Sequence, residues 1–225
     1  MLRRLQEVLA AGSPPFVFWH GGRWNRGSTI HYTVQPAPAA LNLDQKLVLR
    51  TIADAFGAWK AAGNLPLTFQ RVELGLSEIE ISWVENLTSG TDVLAGFADY
   101  PPGTPGIANR IRLNASLAWE VSASRGDVFD LQNIVLHEIG HALGLGHSTS
   151  DLSVMSGSIG AGPGNGLFPA DIEAASDIYR ATPGQRVLAR FLTETLDLAR
   201  SPVTCPILQP PHNRLRPKRR KRAVI

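Results

Sequence analysis

Hydrophobic positions change period along this chain, and each change marks an element. Thr29–Val34 alternates and is rich in β-branched and aromatic residues, which predicts a strand. After Asp44 the period becomes helical: Val48, Ile52, Phe56 and Trp59 share one face of a helix running to about Ala62, with Asp44 as N-cap and Gly63 as terminator. Residues 66–72 and 78–84 predict two more strands, 93–98 forms a further apolar segment, and 110–114 predicts a strand beyond a Pro/Gly loop at 101–106. Asp130 caps a second helix whose buried side is Leu131, Ile134, Val135, Ile139 and Leu143. A glycine-rich segment at 156–167 precedes a closing helix over Pro169–Arg180. Near the two ends, Leu2, Leu5, Val8 and Leu9, and then Val187, Leu188, Phe191, Leu192 and Leu196 over 185–199, predict two additional amphipathic helices.

Composition changes this picture only at the termini. With 225 residues, 44% hydrophobic and 18% charged, the chain suits one well-buried soluble domain plus extensions. The net charge of +3 conceals a division: residues 214–225 hold seven Lys/Arg and no acid, leaving 15 basic against 19 acidic side chains, net −4, in the rest. The basic run at 218–222 reads as a solvated tail, so nucleic acid is not an expected partner. One cysteine, Cys205, rules out an intrachain disulfide. No apolar run approaches the roughly 18 residues of a membrane span. The N-terminus begins like a targeting peptide, but Glu7 and Ser13-Pro14-Pro15 interrupt any apolar stretch, and no signal peptide is read there.

The chemistry concentrates in His137-Glu138-Ile139-Gly140-His141-Ala142-Leu143-Gly144-Leu145-Gly146-His147-Ser148, followed by Met155. On a helix, positions i and i+4 lie on one face, so His137 and His141 can aim at one ion. Glu138 sits beside the first ligand without being one. A third ligand at His147 requires the chain to leave the helix and turn back, and Gly144 stands where a positive φ would end it. Three nitrogens leave the fourth tetrahedral position open for water, the arrangement of a catalytic zinc.

The pattern H-E-x-x-H-x-x-G-x-x-H with a following methionine resembles the metzincins. Ser148 and the spacing to Met155 look like the matrixins, the matrix metalloprotease family. The resemblance covers about residues 24–181, starting at Trp24, with its specific part at 137–155. It implies an α+β fold: a twisted, mainly parallel sheet with an antiparallel edge strand and three helices, to which this chain adds a C-terminal helix. The expected organisation is an N-terminal extension (1–23), a catalytic domain (24–181), the extra helix (182–200) and a Pro-rich, basic, disordered tail (201–225). The implied function is zinc-dependent endopeptidase action, in which Glu138 activates a zinc-bound water. The resemblance also implies a substrate-pairing strand at Leu94 and Ala95, a hydrophobic floor at Met155, and Asp171 bonding back to the methionine turn. Protein or peptide substrates, a monomer and an extracellular or secreted location follow from the same likeness.

The chain also departs from its relatives. Gly96 and Arg112 stand where histidines of a second, structural zinc are expected, and the connection from Val84 to Leu94 is short. His20, His31 and His212 are scattered. One catalytic zinc is therefore expected, without a structural zinc or calcium. No cysteine precedes the domain to act as a switch, and Cys205 reads as an inert tail thiol. Ser156 and Gly157 replace the proline and tyrosine that wall the family's S1′ pocket, and five glycines occupy 156–167, predicting an apolar but broad P1′ preference.

Overall fold

Local signals set the element boundaries. A computed structural model of the chain describes residues 17–19, 22–73, 76–101, 108–148, 150–162, 164, 166–180 and 204–206. In order these form β1 (Val17–Trp19), β2 (Thr29–Val34), a 3-10 turn (Ala39–Leu41), α1 (Gln45–Ala62), β3 (Thr68–Arg71), β4 (Ile79–Val84), β5 (Thr88–Ser89), β6 (Asp92–Ala98) and β7 (Asn109–Asn114). There follow β8 (Trp119–Glu120), β9 (Phe129–Asp130), α2 (Leu131–Ala142), β10 (Leu145–Ser148), α3 (Pro169–Arg180) and β11 (Thr204–Pro206). The expected helices near residues 2–9 and 185–199, and the basic run, lie outside the described residues. No helix among the described residues is long and apolar enough to cross a membrane.

Both expected caps are in place. The Asp44 side chain accepts from the amides of Lys46 and Leu47 at 2.8 and 3.2 Å, and that of Asp130 accepts from Asn133 at 2.9 Å. Each satisfies amides that the first helical turn leaves without partners. The strand expected over 66–72 is shorter at both ends, and its neighbour Leu67 turns into the core instead.

The main sheet runs β11-β6-β7-β4-β2-β3, with β5 beside β6. β2 is parallel to β3 and β4, and β4 is parallel to β7, while β6 is antiparallel to β7. This is the mainly parallel α+β sheet with an antiparallel strand that the resemblance implied. α1 and α2 pack against each other, α1 also meeting β3, and α2 meeting β6 and β7. Ile30 and Tyr32 of β2, Ile52, Phe56 and Trp59 of α1, and Ile111 and Leu113 of β7 meet in the core. Phe56 lies between the rings of Tyr32 and Phe69, with centroids 4.5 and 4.8 Å away. Such pairs contribute about 0.5–1.5 kcal/mol beyond the area they bury.

The N-terminal segment fastens two helix ends. Trp24 Nε1 donates to the Ala142 carbonyl at 2.8 Å, and Arg23 and Arg26 donate to the Ile178 and Tyr179 carbonyls, each at 2.8 Å. Cations at the carbonyl end of α3 also suit its dipole. The two arginines carried no sequence signal, because their partners are backbone carbonyls far along the chain.

Gly140 shows how tightly α2 is packed. A Cβ there would run into Met155 Sδ and come within 3.0 Å of Trp59 Cζ2. Both neighbours are fully buried. Gly140→Ala is therefore expected to destabilise by about 1–3 kcal/mol through overpacking, in spite of alanine's better helix propensity. Equilibrium denaturant unfolding measures this, and an unchanged midpoint would mean that Met155 gives way freely.

Candidate metal centre and active site

Two elements and a turn build the centre. α2 carries His137 and His141 one turn apart, with ring centroids separated by 4.5 Å. Gly144 takes φ +105°, as its position after the helix requires, and a Cβ there would strike the Gly22 carbonyl oxygen. The chain then doubles back through β10, which carries His147. β10 is held by β1, in the register Val17↔Ser148 and Trp19↔Leu145, and by the Ser148 amide donating to the Met155 carbonyl at 2.6 Å. Ligand atoms of His137, His141 and His147 all lie within 4.8 Å of one another.

Hydrogen bonding fixes how these rings present their lone pairs. His137 Nδ1 lies 2.7 Å from the Val154 carbonyl, and His141 Nδ1 lies 2.7 Å from the Leu145 carbonyl. A carbonyl only accepts, so each Nδ1 carries the proton and each Nε2 presents a lone pair. The two Nε2 atoms face each other at 2.8 Å. Two lone pairs cannot hydrogen-bond to each other, and a shared electrophile relieves their repulsion. His147 Nε2 is buried without a hydrogen-bond partner. A donor set of three neutral imidazoles, two of them oriented by backbone carbonyls, fits a zinc ion.

The methionine turn acts through its backbone. The buried Asp171 carboxylate accepts from the Ser153 hydroxyl, the Val154 amide at 2.9 Å and the Phe168 amide at 2.9 Å. The same Val154 offers its carbonyl to His137, so Asp171 positions the group that orients a ligand ring. Met155 is fully buried beneath Gly140.

Glu138 is 1% exposed, and neither carboxylate oxygen has a hydrogen-bond partner. Burial raises its pKa well above the usual carboxylate range. It occupies space left by a glycine: a Cβ on Gly96 would lie 2.7 Å from Glu138 Cδ. Position 96, where a histidine for a second metal is expected, thus faces the Glu138 carboxylate. A lone glycine inside a strand pattern, marking close approach, was the available signal. Leu94 and Ala95 are both buried, and Leu94 is committed within the sheet: its amide donates to the Leu87 carbonyl at 2.9 Å and its carbonyl accepts from Asn114 Nδ2 at 2.7 Å. Tyr100, not singled out in the sequence, sets its ring edge-on to His141 with centroids 5.6 Å apart. Burial, and then the Glu138 charge, raise its hydroxyl pKa.

A cavity of about 260 Å³ adjoins the first turn of α2, lined by Ser122, Asp130, Gln132, Asn133, Leu136 and Gly164 among others. Asn133 lies one turn before His137 on the same helix face. This lining is mainly polar. Ile134, Val135 and Ile139 lie in the core, the buried side that the helix pattern predicted, and Gln132 and Asn133 border the cavity.

These environments set a pH dependence. Burial, then the neighbouring His147, lowers the His137 pKa from 6.5 to about 3, opposed by the Val154 hydrogen bond, and burial also lowers that of His147. The unfolded chain then binds more protons between pH 6.5 and 3, so histidine stabilisation present above 6.5 is lost as pH falls. Glu138 works the other way, because its raised pKa favours proton uptake by the folded chain. In metal-free Glu138→Gln protein, stability should therefore drop more steeply below pH 6.5 than in the metal-free parent. Denaturant midpoints at a series of pH values test this, and equal slopes would contradict it.

Known proteins are similar to this chain in sequence. Matrix metalloproteinase-19 of Mus musculus is 29% identical over 193 residues, covering 81% of this chain and 34% of that protein. Matrilysin of Felis catus is 29% identical over 145 residues, 61% of this chain and 53% of its own. Stromelysin-3 of Xenopus laevis is 32% identical over 142 residues, 60% of this chain and 28% of its own. The chain thus spans between 28% and 53% of the length of these three relatives. The matrixin family model matches residues 23–180, most of the chain and all of the centre described above, and the chain belongs to the matrixins.

Proposed function

We propose that this matrixin is a zinc-dependent metalloendopeptidase acting on proteins or peptides as a monomer, in an extracellular or secreted setting. The observation that carries the reading is the Glu138 carboxylate, buried and unpartnered beside three converging imidazoles. His137, His141 and His147 would hold one ion. His31 is already engaged with Glu78, its Nδ1 lying 3.1 Å from Oε2, which supports a single site. Bound there, zinc supplies Lewis acidity, bringing the pKa of a water to about 7 and polarising the scissile carbonyl.

The chain's own groups do the rest. Glu138 takes the proton from the attacking water and returns it to the leaving amine nitrogen. Burial raises its pKa above the usual carboxylate range, which strengthens it as a proton acceptor. β6, carrying Leu94, Ala95 and Gly96, aligns an extended peptide along its edge above Glu138. Met155 and the turn held by Asp171 keep the rings in place from below.

Zinc-loaded protein incubated with a peptide library, with new termini read by mass spectrometry, tests the reading. Internal bonds should be cut, and a chelator should stop the reaction. Zinc-loaded protein that cuts nothing would overturn the proposal. In the same assay Gly96→Ala should lose about 10²-fold in turnover with zinc retained, because its Cβ displaces the base. Near-parental turnover would remove Gly96 from the site.

A further inference from the structure

The edge of β6 is not free. β11, Thr204–Pro206, pairs with it antiparallel in the register Thr204↔Phe97 and Pro206↔Leu94. These partners bracket Gly96, the position that faces Glu138. An extended peptide needs the same edge if its scissile bond is to lie above that carboxylate, and one strand edge accepts one partner at a time. Thr204–Pro206, part of the tail expected over 201–225, therefore lies along the edge proposed for substrate.

We propose that Thr204–Pro206 is a built-in competitor for the peptide-docking edge of β6, so that substrate enters only when this strand lifts away. The inference rests on the proposed use of β6 to align substrate. The pairing is built to be reversible. It spans three residues, its register slips between Thr204 and Pro206, and Pro206 has no amide to donate. Tethering offsets this weakness, because docking of a segment of the same chain proceeds at a high effective concentration. A substrate then binds with its intrinsic affinity reduced by the fraction of chains in which the edge is open. Competition of this kind raises KM and leaves kcat unchanged.

The experiment uses the full chain. Thr204→Pro combined with Cys205→Pro removes both remaining amide donors of the strand. With a short peptide substrate, KM should fall about tenfold at constant kcat, corresponding to an edge open in about one chain in ten. Unchanged KM would overturn the proposal. Cys205→Ser keeps the backbone and should leave KM unaltered. If it reproduced the whole fall, the thiol and not the strand would be the competitor, and the proposal would fail. Hydrogen exchange on Glu138→Ala full chain gives a readout that needs no turnover. A saturating peptide should speed exchange at Thr204 and Cys205, and exchange unmoved by the peptide would overturn the competition. Absence of turnover in every chain would sink the peptidase reading alone, since exchange still reports on the strand.

Discussion

Replacing Glu138 by alanine is expected to lower peptide turnover by at least 10²–10⁴-fold, roughly the range for loss of a positioned general base, while zinc content and fold persist. Glu138 makes no hydrogen bond that holds the structure, so its removal breaks no network. It also removes a buried carboxylate without a partner, a group that costs the folded state free energy whenever it is charged. Activity and stability should therefore separate: turnover collapses, and the metal-free variant unfolds at a denaturant concentration no lower than the parent. Glu138→Gln keeps the shape and should be nearly as inactive, which assigns the loss to the proton and not to a cavity. Metal analysis, turnover and unfolding on one preparation provide the comparison. Turnover within about tenfold of the parent would remove Glu138 as the base.

Removing the metal should have the second largest effect, on stability and activity together. The ligands come from α2 and β10, which are joined through Gly144, and the ring of His137 is tied to the methionine turn. An ion held by all three histidines links these segments in the folded chain only. Binding to the native state alone stabilises by about 2.7 kcal/mol when free zinc is 100 times its Kd. For a chain of this size that corresponds to about 5–10 °C in Tm. Chelation is expected to lower Tm by that amount and to extinguish turnover, and added zinc should restore both. His147→Ala should abolish the response of Tm to chelator, since its unpartnered Nε2 would be the third donor. Dialysed protein should hold one zinc per chain. A Tm indifferent to chelation, or two ions per chain, would refute this account of the centre.

Much of this was legible before any coordinates. The helix starts at Asp44 and Asp130 were readable because a cap is a contact between residues two or three apart. The placement of His137 and His141 on one face follows from helix geometry alone, and Gly144 marks the turn because left-handed backbone favours glycine. The matrixin likeness rested on this same short stretch, and the family match extends it over residues 23–180.

Tertiary structure decided the rest. Val154 orients His137 through its carbonyl, a group that every residue carries and that leaves no mark in sequence. Gly96 could be read as a vacant ligand position until the sheet and α2 came together and turned it toward Glu138. The helix pattern named the buried face of α2 correctly, but only packing showed that Gln132 and Asn133 line a cavity. The pairing of β11 with β6 was equally invisible. Alternation identifies a strand and its faces, yet the amides and carbonyls that choose its neighbour are the same along every strand, so the partner is selected only when the folded chain brings one edge to another.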